Sequence, residues 1–305
     1  MTVVCLSEED LRRLHQVQLA LLLELDRVCR QLGVAYQLGA GSLLGAVRHA
    51  GFIPWDDDID VVMLRVEYQR FLREAPPLLD RRLFLQTWRS DRQFQGFYAK
   101  LRRQDSVFRE EFHQDRRQHH GIYIDIFPFD PVWPERWWWR ILLAMVLRLR
   151  KIVGRLQELA GQGNGRRQMP WRPAWRRWLE SGVHRGLAAV PPWLWLAIQE
   201  GLLRSLAIVP SAQVVCLVSG SPHWERLRAL ARPAREFAQT VQLPFEGWSF
   251  PVTAAYPRAL SRLYGDYMRL PPPERRVPGH PVVEFRLPEE DGPEWNRPGG
   301  ESTGP

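Results

Sequence analysis

The chain has 305 residues, of which 45% are apolar and 25% are charged, and this composition excludes fibrous, repeat and wholly disordered classes of protein. Its net charge of +8 is concentrated in residues 131–180, which hold 11 arginines and lysines against 3 glutamates, together with 7 of the 14 tryptophans. The basic character is therefore local, and it does not indicate a generally polycationic protein.

The first helix is predicted over 7–32, where apolar residues recur at helical spacing behind a capping box formed by Ser7 and Asp10. A strand at 34–38 and a helix over 43–49 follow, and a strand at 58–63 is rich in β-branched residues. A further helix is predicted at 67–73.

Three more strands are predicted at 83–87, 97–102 and 121–127, and this order indicates an α/β (α+β) fold with a mixed sheet. An amphipathic helix is predicted at 137–159. We divide the chain into a catalytic core (1–130), a mostly helical, basic, Trp-rich region (131–240), a C-terminal block that packs on the core (241–285) and a disordered tail (286–305).

The three cysteines are far apart in the sequence, so we expect neither a disulfide framework nor a zinc site. The first residues lack the features of a signal peptide, and no apolar run after residue 130 is long enough to cross a membrane. We therefore expect a cytoplasmic protein, and a peripheral contact with the inner face of a membrane through 133–159 is an open alternative.

The acidic segment 55–60 carries the strongest chemical signal in the chain. Asp58 and Asp60 flank Ile59 on the predicted strand, so their carboxylates project to one face while Ile59 points into the core. Carboxylate oxygens are the protein ligands that Mg²⁺ prefers, and acids this close repel one another without a cation. We predict a Mg²⁺ site here, with Mn²⁺ as an alternative ion and one or two ions bound.

Two further features extend this site. Gly41 and Ser42 lie at a strand-to-helix turn, where backbone N–H groups can bind an anion such as phosphate. Asp125 lies in an otherwise apolar strand, where a carboxylate is costly to bury unless it meets a cation. We therefore predict that Asp125 is the third carboxylate of the metal site.

Residues 38–63 closely resemble the signature of the LicD family, which includes bacterial phosphocholine transferases and the related fukutin-related ribitol-phosphate transferases. Residues 121–130 and 245–272 resemble the second and the C-terminal block of that family. The resemblance implies a nucleotidyltransferase-like mixed sheet with flanking helices. The mostly helical region 131–240 would then be an insertion, and it has no counterpart in the family signature.

The resemblance also implies roles for particular residues. Asp58, Asp60 and Asp125 would hold the metal and form the catalytic group, and Gly41 and Ser42 would contact the phosphate of the donor. Basic residues at the positions of Lys100 and Arg102 would also bind phosphate. Supporting positions within the first block are Asp56, Asp57, Arg48 and His49.

The function that this resemblance implies is Mg²⁺-dependent transfer of a phospho-alcohol group, phosphocholine or a similar one, from a CDP-alcohol to a glycan or glycolipid hydroxyl. Such glycans occur in lipopolysaccharide and the cell wall. The alternatives are a nucleotidyltransferase that releases pyrophosphate and a membrane-surface binding protein. Nucleic-acid binding by the Arg- and Trp-rich region is not expected, because that region has no recognised nucleic-acid motif.

Overall fold

The fold is seen in a computed structural model that describes residues 3–94, 96–113, 117–133, 135–139, 141–143, 145, 192–207, 211–217 and 230–289. Helices and strands alternate from residue 8 to residue 86, and runs of consecutive strands follow. The helices are α1 (Glu8–Leu32), α2 (Ala40–His49), α3 (Arg65–Glu74), α4 (Pro192–Ala207) and α5 (Tyr256–Tyr264). The strands are β1 (Gln37–Leu38), β2 (Asp60–Leu64), β3 (Leu83–Gln86), β4 (Ala99–Arg103), β5 (Val107–Glu110), β6 (Tyr123–Val132), β7 (Gln213–Val215), β8 (Arg232–Pro233), β9 (Thr240–Phe245), β10 (Trp248–Thr253) and β11 (Val282–Arg286). The predicted α/β class is confirmed.

The central sheet has the strand order β1-β2-β6-β4-β3, and it is mixed because β2 and β6 are parallel while the other pairs are antiparallel. The end of β6 continues into a pairing with β7, which in turn pairs with β8. Two separate antiparallel pairs are β9 with β10 and β5 with β11.

Helix α1 confirms the prediction for 7–32. The Ser7 hydroxyl accepts a hydrogen bond from the Asp10 backbone N–H at 3.0 Å, and the Asp10 carboxylate accepts one from the Ser7 backbone N–H at 3.0 Å. The helix ends at Gly33, which has a left-handed φ of 64°. Its apolar face is completely buried against the sheet, at Leu14, Leu21 and Leu25 among others.

The register of the sheet explains why polar residues from distant parts of the chain meet. Asp60 of β2 is paired with Asp125 of β6, Asp125 with Lys100 of β4, and Lys100 with Gln86 of β3. Side chains at paired positions project to the same face, so these residues form one row across four strands.

Several predicted boundaries were wrong. Helix α2 begins at Ala40, so Gly41 and Ser42 lie inside its first turn and not before it. Strand β2 begins at Asp60, so Asp58 precedes the strand. The strand β11 was missed, because its pairing with β5 is a long-range contact that local patterns do not reveal. Four of its five residues lie in the predicted C-terminal block, and only Arg286 lies in the predicted tail. Residues 290–305 lie outside the described residues.

The Trp-rich region is described only in part. Residues 137–139 and 141–143 are helical, as predicted, while 146–191 lie outside the described residues. Trp137, Ile141 and Met145 are exposed, at helical spacing. Among the described residues, no helix is both long and apolar enough to cross a membrane. Peripheral membrane contact stays a prediction.

Candidate active site

The carboxylates of Asp58, Asp60 and Asp125 come together at one end of the β2–β6 pair. One oxygen of each lies within 4.8 Å of those of the other two. Asp60 and Asp125 meet through the strand register, while Asp58 reaches them from the loop before β2. The structure therefore confirms that these three carboxylates converge. The strands explain the contact between Asp60 and Asp125, but not the position of Asp58, which lies before β2.

Lys100 contacts this cluster from the next strand. Its Nζ lies 3.0 Å from Oδ1 of Asp125 and donates a hydrogen bond of 3.4 Å to Oδ2. Oδ1 thus has an ion-pair contact but no well-aligned hydrogen bond. The ammonium group also lies 3.2 Å from the ring centroid of Tyr123, and Lys100 is only 2% exposed. The ammonium group of Lys100 is thus paired with the Asp125 carboxylate, and its contact with donor phosphate stays a prediction.

The first turn of α2 holds Asp60 in place. The Asp60 backbone N–H donates to the Ser42 hydroxyl at 2.8 Å, and the Gly39 N–H donates to the Asp60 carbonyl at 2.9 Å. The Gly41 N–H donates to the Asp60 carboxylate. Ser42 is 4% exposed, so the structure shows it positioning Asp60 and offers little surface for the predicted phosphate contact.

Gly41 lies at the surface of the cleft in front of the carboxylates. A Cβ atom at this position would lie 2.7 Å from Oδ2 of Asp56. Glycine therefore leaves room for the Asp56 carboxylate beside the helix terminus, where the helix dipole favours negative charge. Asp56 has the supporting position that the sequence predicted, at the edge of the cleft.

The backbone of the acidic loop is fixed by α1. His15 Nε2 donates to the Asp56 carbonyl at 2.7 Å, and Gln18 Nε2 donates to the Asp57 carbonyl at 2.8 Å. Burial lowers the pKa of His15, which keeps its ring neutral. Sequence reasoning missed both residues, because they looked like ordinary positions of an amphipathic helix.

Asp57 is fully buried and is bound from the C-terminal part of the chain. Its Oδ2 accepts a hydrogen bond from the His280 backbone N–H at 2.9 Å, and its Oδ1 lies 2.8 Å from His280 Nδ1. The bond to Asp57 raises the pKa of His280 to about 9, so the ring is protonated at neutral pH. We call this contact the Asp57–His280 clamp. Asp57, Asp58 and His280 also lie within 4.8 Å of one another, but a metal bound there would have to displace the proton from His280.

Arg102 lies away from the cleft. It is 1% exposed, and its guanidinium donates to the Gln86 side chain and to the Gly121 carbonyl. It lies one row further along the sheet than Lys100, next to Tyr123. The structure therefore gives Arg102 contacts within the core and places it outside the surface where the predicted phosphate contact would occur.

Arg48 and His49, the last residues of α2, are bonded to each other. Arg48 Nε donates to His49 Nε2 at 3.0 Å, and Arg48 Nη1 donates to the Tyr267 carbonyl at 2.9 Å. The His49 ring packs edge-on against Trp55. Burial and the positive charge of Arg48 lower the pKa of His49. Arg48 and Trp55 both line the cleft.

The cleft itself has an empty volume of about 1600 Å³, including space open to solvent. The cleft is lined by Asp56, Asp58 and Asp60, by Tyr264 at the end of α5 and by residues of the segment 266–279. The C-terminal block therefore contributes half of the site, a role that its sequence resemblance alone did not specify. Phe245, Phe250 and Val252 of the same block are buried in the main core.

The electrostatics of the acidic wall are unfavourable without a cation. Burial and then repulsion from Asp60 raise the pKa of Asp58 well above its usual value. Burial and repulsion from Asp125 raise that of Asp60 to about 7, and burial raises the pKa of Asp125. Three carboxylates, one with an oxygen that lacks a well-aligned hydrogen bond, fit the oxygen-rich ligand set that Mg²⁺ or Mn²⁺ prefers.

These shifts predict how stability changes with pH. Aspartate in an unfolded chain titrates near ~3.9, and the pKa of Asp60 is about 7, so the folded state binds this proton more tightly. Stability is therefore lost as pH rises from about 4 to about 7. In EDTA, the melting temperature of the wild type should fall through this window relative to that of Asp60→Asn. Above pH 7, Mg²⁺ should restore the melting temperature of the wild type. If the melting temperatures of the two proteins changed with pH in parallel, the raised pKa of Asp60 would be contradicted.

Comparison with known proteins gives a consistent result. The chain matches the model of the family described as LicD/FKTN/FKRP, nucleotidyltransferase domain, over residues 33–143. It is 30% identical over 275 residues to the lipopolysaccharide cholinephosphotransferase LicD of Haemophilus influenzae, which covers 88% of this chain and 96% of the relative. It is 32% identical over 108 residues to the ribitol 5-phosphate transferase FKRP of Mus musculus and of Homo sapiens, covering 34% of this chain and 18% of each relative. All three clustered carboxylates lie within residues 33–143.

Proposed function

Because this chain belongs to the LicD family, we propose that it transfers a phospho-alcohol group from a CDP-activated alcohol to a hydroxyl of a glycan or glycolipid. It is a transferase of phosphate-containing groups, as its relatives are named. Phosphocholine is the first candidate for the group, and lipopolysaccharide for the acceptor, because the relative aligned over most of the chain is named for both. The observation that carries the proposal is the convergence of three carboxylates at a cleft large enough for a nucleotide-linked donor.

Asp58, Asp60 and Asp125 would hold Mg²⁺. When bound, the ion supplies positive charge that offsets the developing charge on the donor phosphates. The chain prepares this site in three ways: the strand register aligns Asp60 with Asp125, the first turn of α2 holds Asp60, and Lys100 holds Asp125. These contacts fix the carboxylates before substrate binds, which is what phosphoryl transfer requires of a protein.

In the proposed reaction, the acceptor hydroxyl oxygen forms a bond to the phosphorus that bears the alcohol. The bond between that phosphorus and the bridging oxygen breaks, and CMP leaves with the bond electrons. The hydroxyl proton passes to a carboxylate. We assign it to Asp56, which lines the cleft and whose pKa is raised to about 6 by burial and by Asp57. Asp125 is ion-paired with Lys100, so we do not assign this role to it.

A nucleotidyltransferase that releases pyrophosphate is the second candidate, because the matched family model carries that name for its domain. The two reactions differ in the phosphorus attacked and therefore in the product. The protein should be incubated with Mg²⁺, lipopolysaccharide and a panel of CDP-choline, CDP-ribitol and CDP-glycerol. A parallel incubation should contain CTP and choline phosphate.

We expect CMP release from at least one CDP-alcohol, dependent on acceptor and Mg²⁺, and no pyrophosphate from the second mixture. The Asp58→Asn variant is the control for contaminating activity. Pyrophosphate formation without CMP release would replace the transferase proposal with the nucleotidyltransferase.

A further inference from the structure

Four arginines line the same cleft as Asp56, Asp58 and Asp60. They are Arg48 at the end of α2 and Arg269, Arg275 and Arg276 in the segment that follows α5. We call this set the arginine wall. Arg269 and Arg275 are exposed, and Arg48 and Arg276 are half-buried. The role of phosphate contact was predicted for Lys100 and Arg102, which are both buried and bonded within the sheet.

The arginine wall lacks acidic partners. Arg48 donates to His49 and to the Tyr267 carbonyl, and Arg276 Nε donates to the Pro271 carbonyl at 2.9 Å. Within the residues that the structure describes, none of the four guanidinium groups forms a salt bridge with a carboxylate. Elsewhere in this same part of the chain many arginines do, as Arg27 does with Glu24 and Arg65 with Asp130.

Arg48 and Arg276 are also close enough to repel one another. Burial and the charge of Arg276 both lower the pKa of Arg48. The Arg276 guanidinium lies 5.6 Å from the ring centroid of Trp55, which fixes it beside the acidic loop. Positive charges held together without anionic partners at a cleft carry an electrostatic cost that a bound anion removes.

The wall has a fixed position relative to the carboxylates. The Asp57–His280 clamp joins the C-terminal segment to the acidic loop, and Arg48 joins it to α2. An anion bound by the wall therefore lies in the same cleft as Asp58 and Asp60. Guanidinium groups suit this task because their planar N–H pairs bind phosphate oxygens bidentately.

We propose that the arginine wall is the diphosphate-binding surface for the donor and that Arg48 and Arg276 contact the phosphate oxygens directly. This assignment rests on the proposed function for the identity of the donor, but the anion chemistry can be tested without it. Arg269 and Arg275 lie at the exposed part of the wall and attract the anion into the cleft.

The test is a titration calorimetry experiment on the full chain with two probes, CDP-choline and inorganic pyrophosphate, each with Mg²⁺. The variants are Arg48→Ala, Arg276→Ala and Arg275→Ala, the last of which removes an exposed side chain. Arg258→Ala is the matched control, because Arg258 is an exposed arginine of α5 that lines a different recess. Thermal unfolding of each variant checks that it is folded.

We expect Arg48→Ala and Arg276→Ala to weaken binding of both probes about 10- to 100-fold, as loss of a hydrogen bond to a charged group does. Arg275→Ala should weaken binding less and reduce its salt dependence, and Arg258→Ala should change neither. If the wild type binds pyrophosphate through the wall but does not bind CDP-choline, CDP-choline fails as the donor and the arginine wall remains an anion site. The arginine wall is not an anion-binding surface if all three variants bind pyrophosphate as tightly as the wild type, or if the wild type does not bind pyrophosphate.

Discussion

Replacing Asp58 or Asp60 by asparagine is expected to reduce transfer about 100- to 1000-fold or more, because each substitution removes a charged ligand oxygen from the cluster. Stability should not fall with activity. Both carboxylates are held close to other acids, and burial and repulsion raise their pKa values, so removing one charge relieves repulsion in the metal-free protein. The melting temperature in EDTA should therefore be unchanged or higher. The measurements are the rate of CMP release and the thermal unfolding curve.

The control for this experiment is Glu9→Gln, which neutralises an exposed carboxylate of α1 that pairs with Arg12. It should leave both the rate and the melting temperature unchanged, since exposed ion pairs contribute little. Full activity in Asp58→Asn or Asp60→Asn would show that the reaction does not depend on this cluster.

The largest effect on stability is expected at the Arg65–Asp130 pair, which joins the start of α3 to β6. Arg65 Nε and Nη2 donate to the two oxygens of Asp130 at 2.6 and 2.8 Å, and the side chains are 4% and 1% exposed. Asp130→Ala leaves the guanidinium buried without its partner. We expect a loss of about 3–5 kcal/mol in the free energy of unfolding and a fall of roughly 10 °C in melting temperature.

Two variants separate this effect from a general loss of side chains. Arg65→Met combined with Asp130→Leu removes both charges and should recover most of the lost stability, because neither charge is then left unpaired. Arg30→Ala breaks an exposed pair with Asp26 and should cost less than about 0.5 kcal/mol. An Asp130→Ala protein as stable as Arg30→Ala would show that the buried pair contributes nothing.

Local sequence patterns were sufficient for the acidic half of the site. A carboxylate pair separated by one apolar residue and a single aspartate within an apolar strand are both visible in the sequence, and they come together as Asp58, Asp60 and Asp125. The helix α1 and the strands β3, β4 and β6 were predictable for the same reason, since their apolar periodicity is local.

The second half of the site depends on contacts that are distant in sequence. His280 binds Asp57 across 223 positions, and β11 is defined by its pairing with β5. Neither has a local pattern that would reveal it. Lys100 and Arg102 lie two residues apart on the same face of β4, but only the strand register shows that Lys100 is paired with Asp125 and Arg102 with Tyr123. The arginine wall was missed because its members come from two segments that only the fold brings together.

We propose that Asp58, Asp60 and Asp125 form a divalent metal site. Titration of the metal-free protein with Mn²⁺, followed by electron paramagnetic resonance, tests this site most directly. The wild type should bind Mn²⁺ and be competed by Mg²⁺, while Asp58→Asn and Asp60→Asn should bind it at least about tenfold more weakly. Binding of Mn²⁺ by either variant with the affinity of the wild type would show that these carboxylates do not form the metal site.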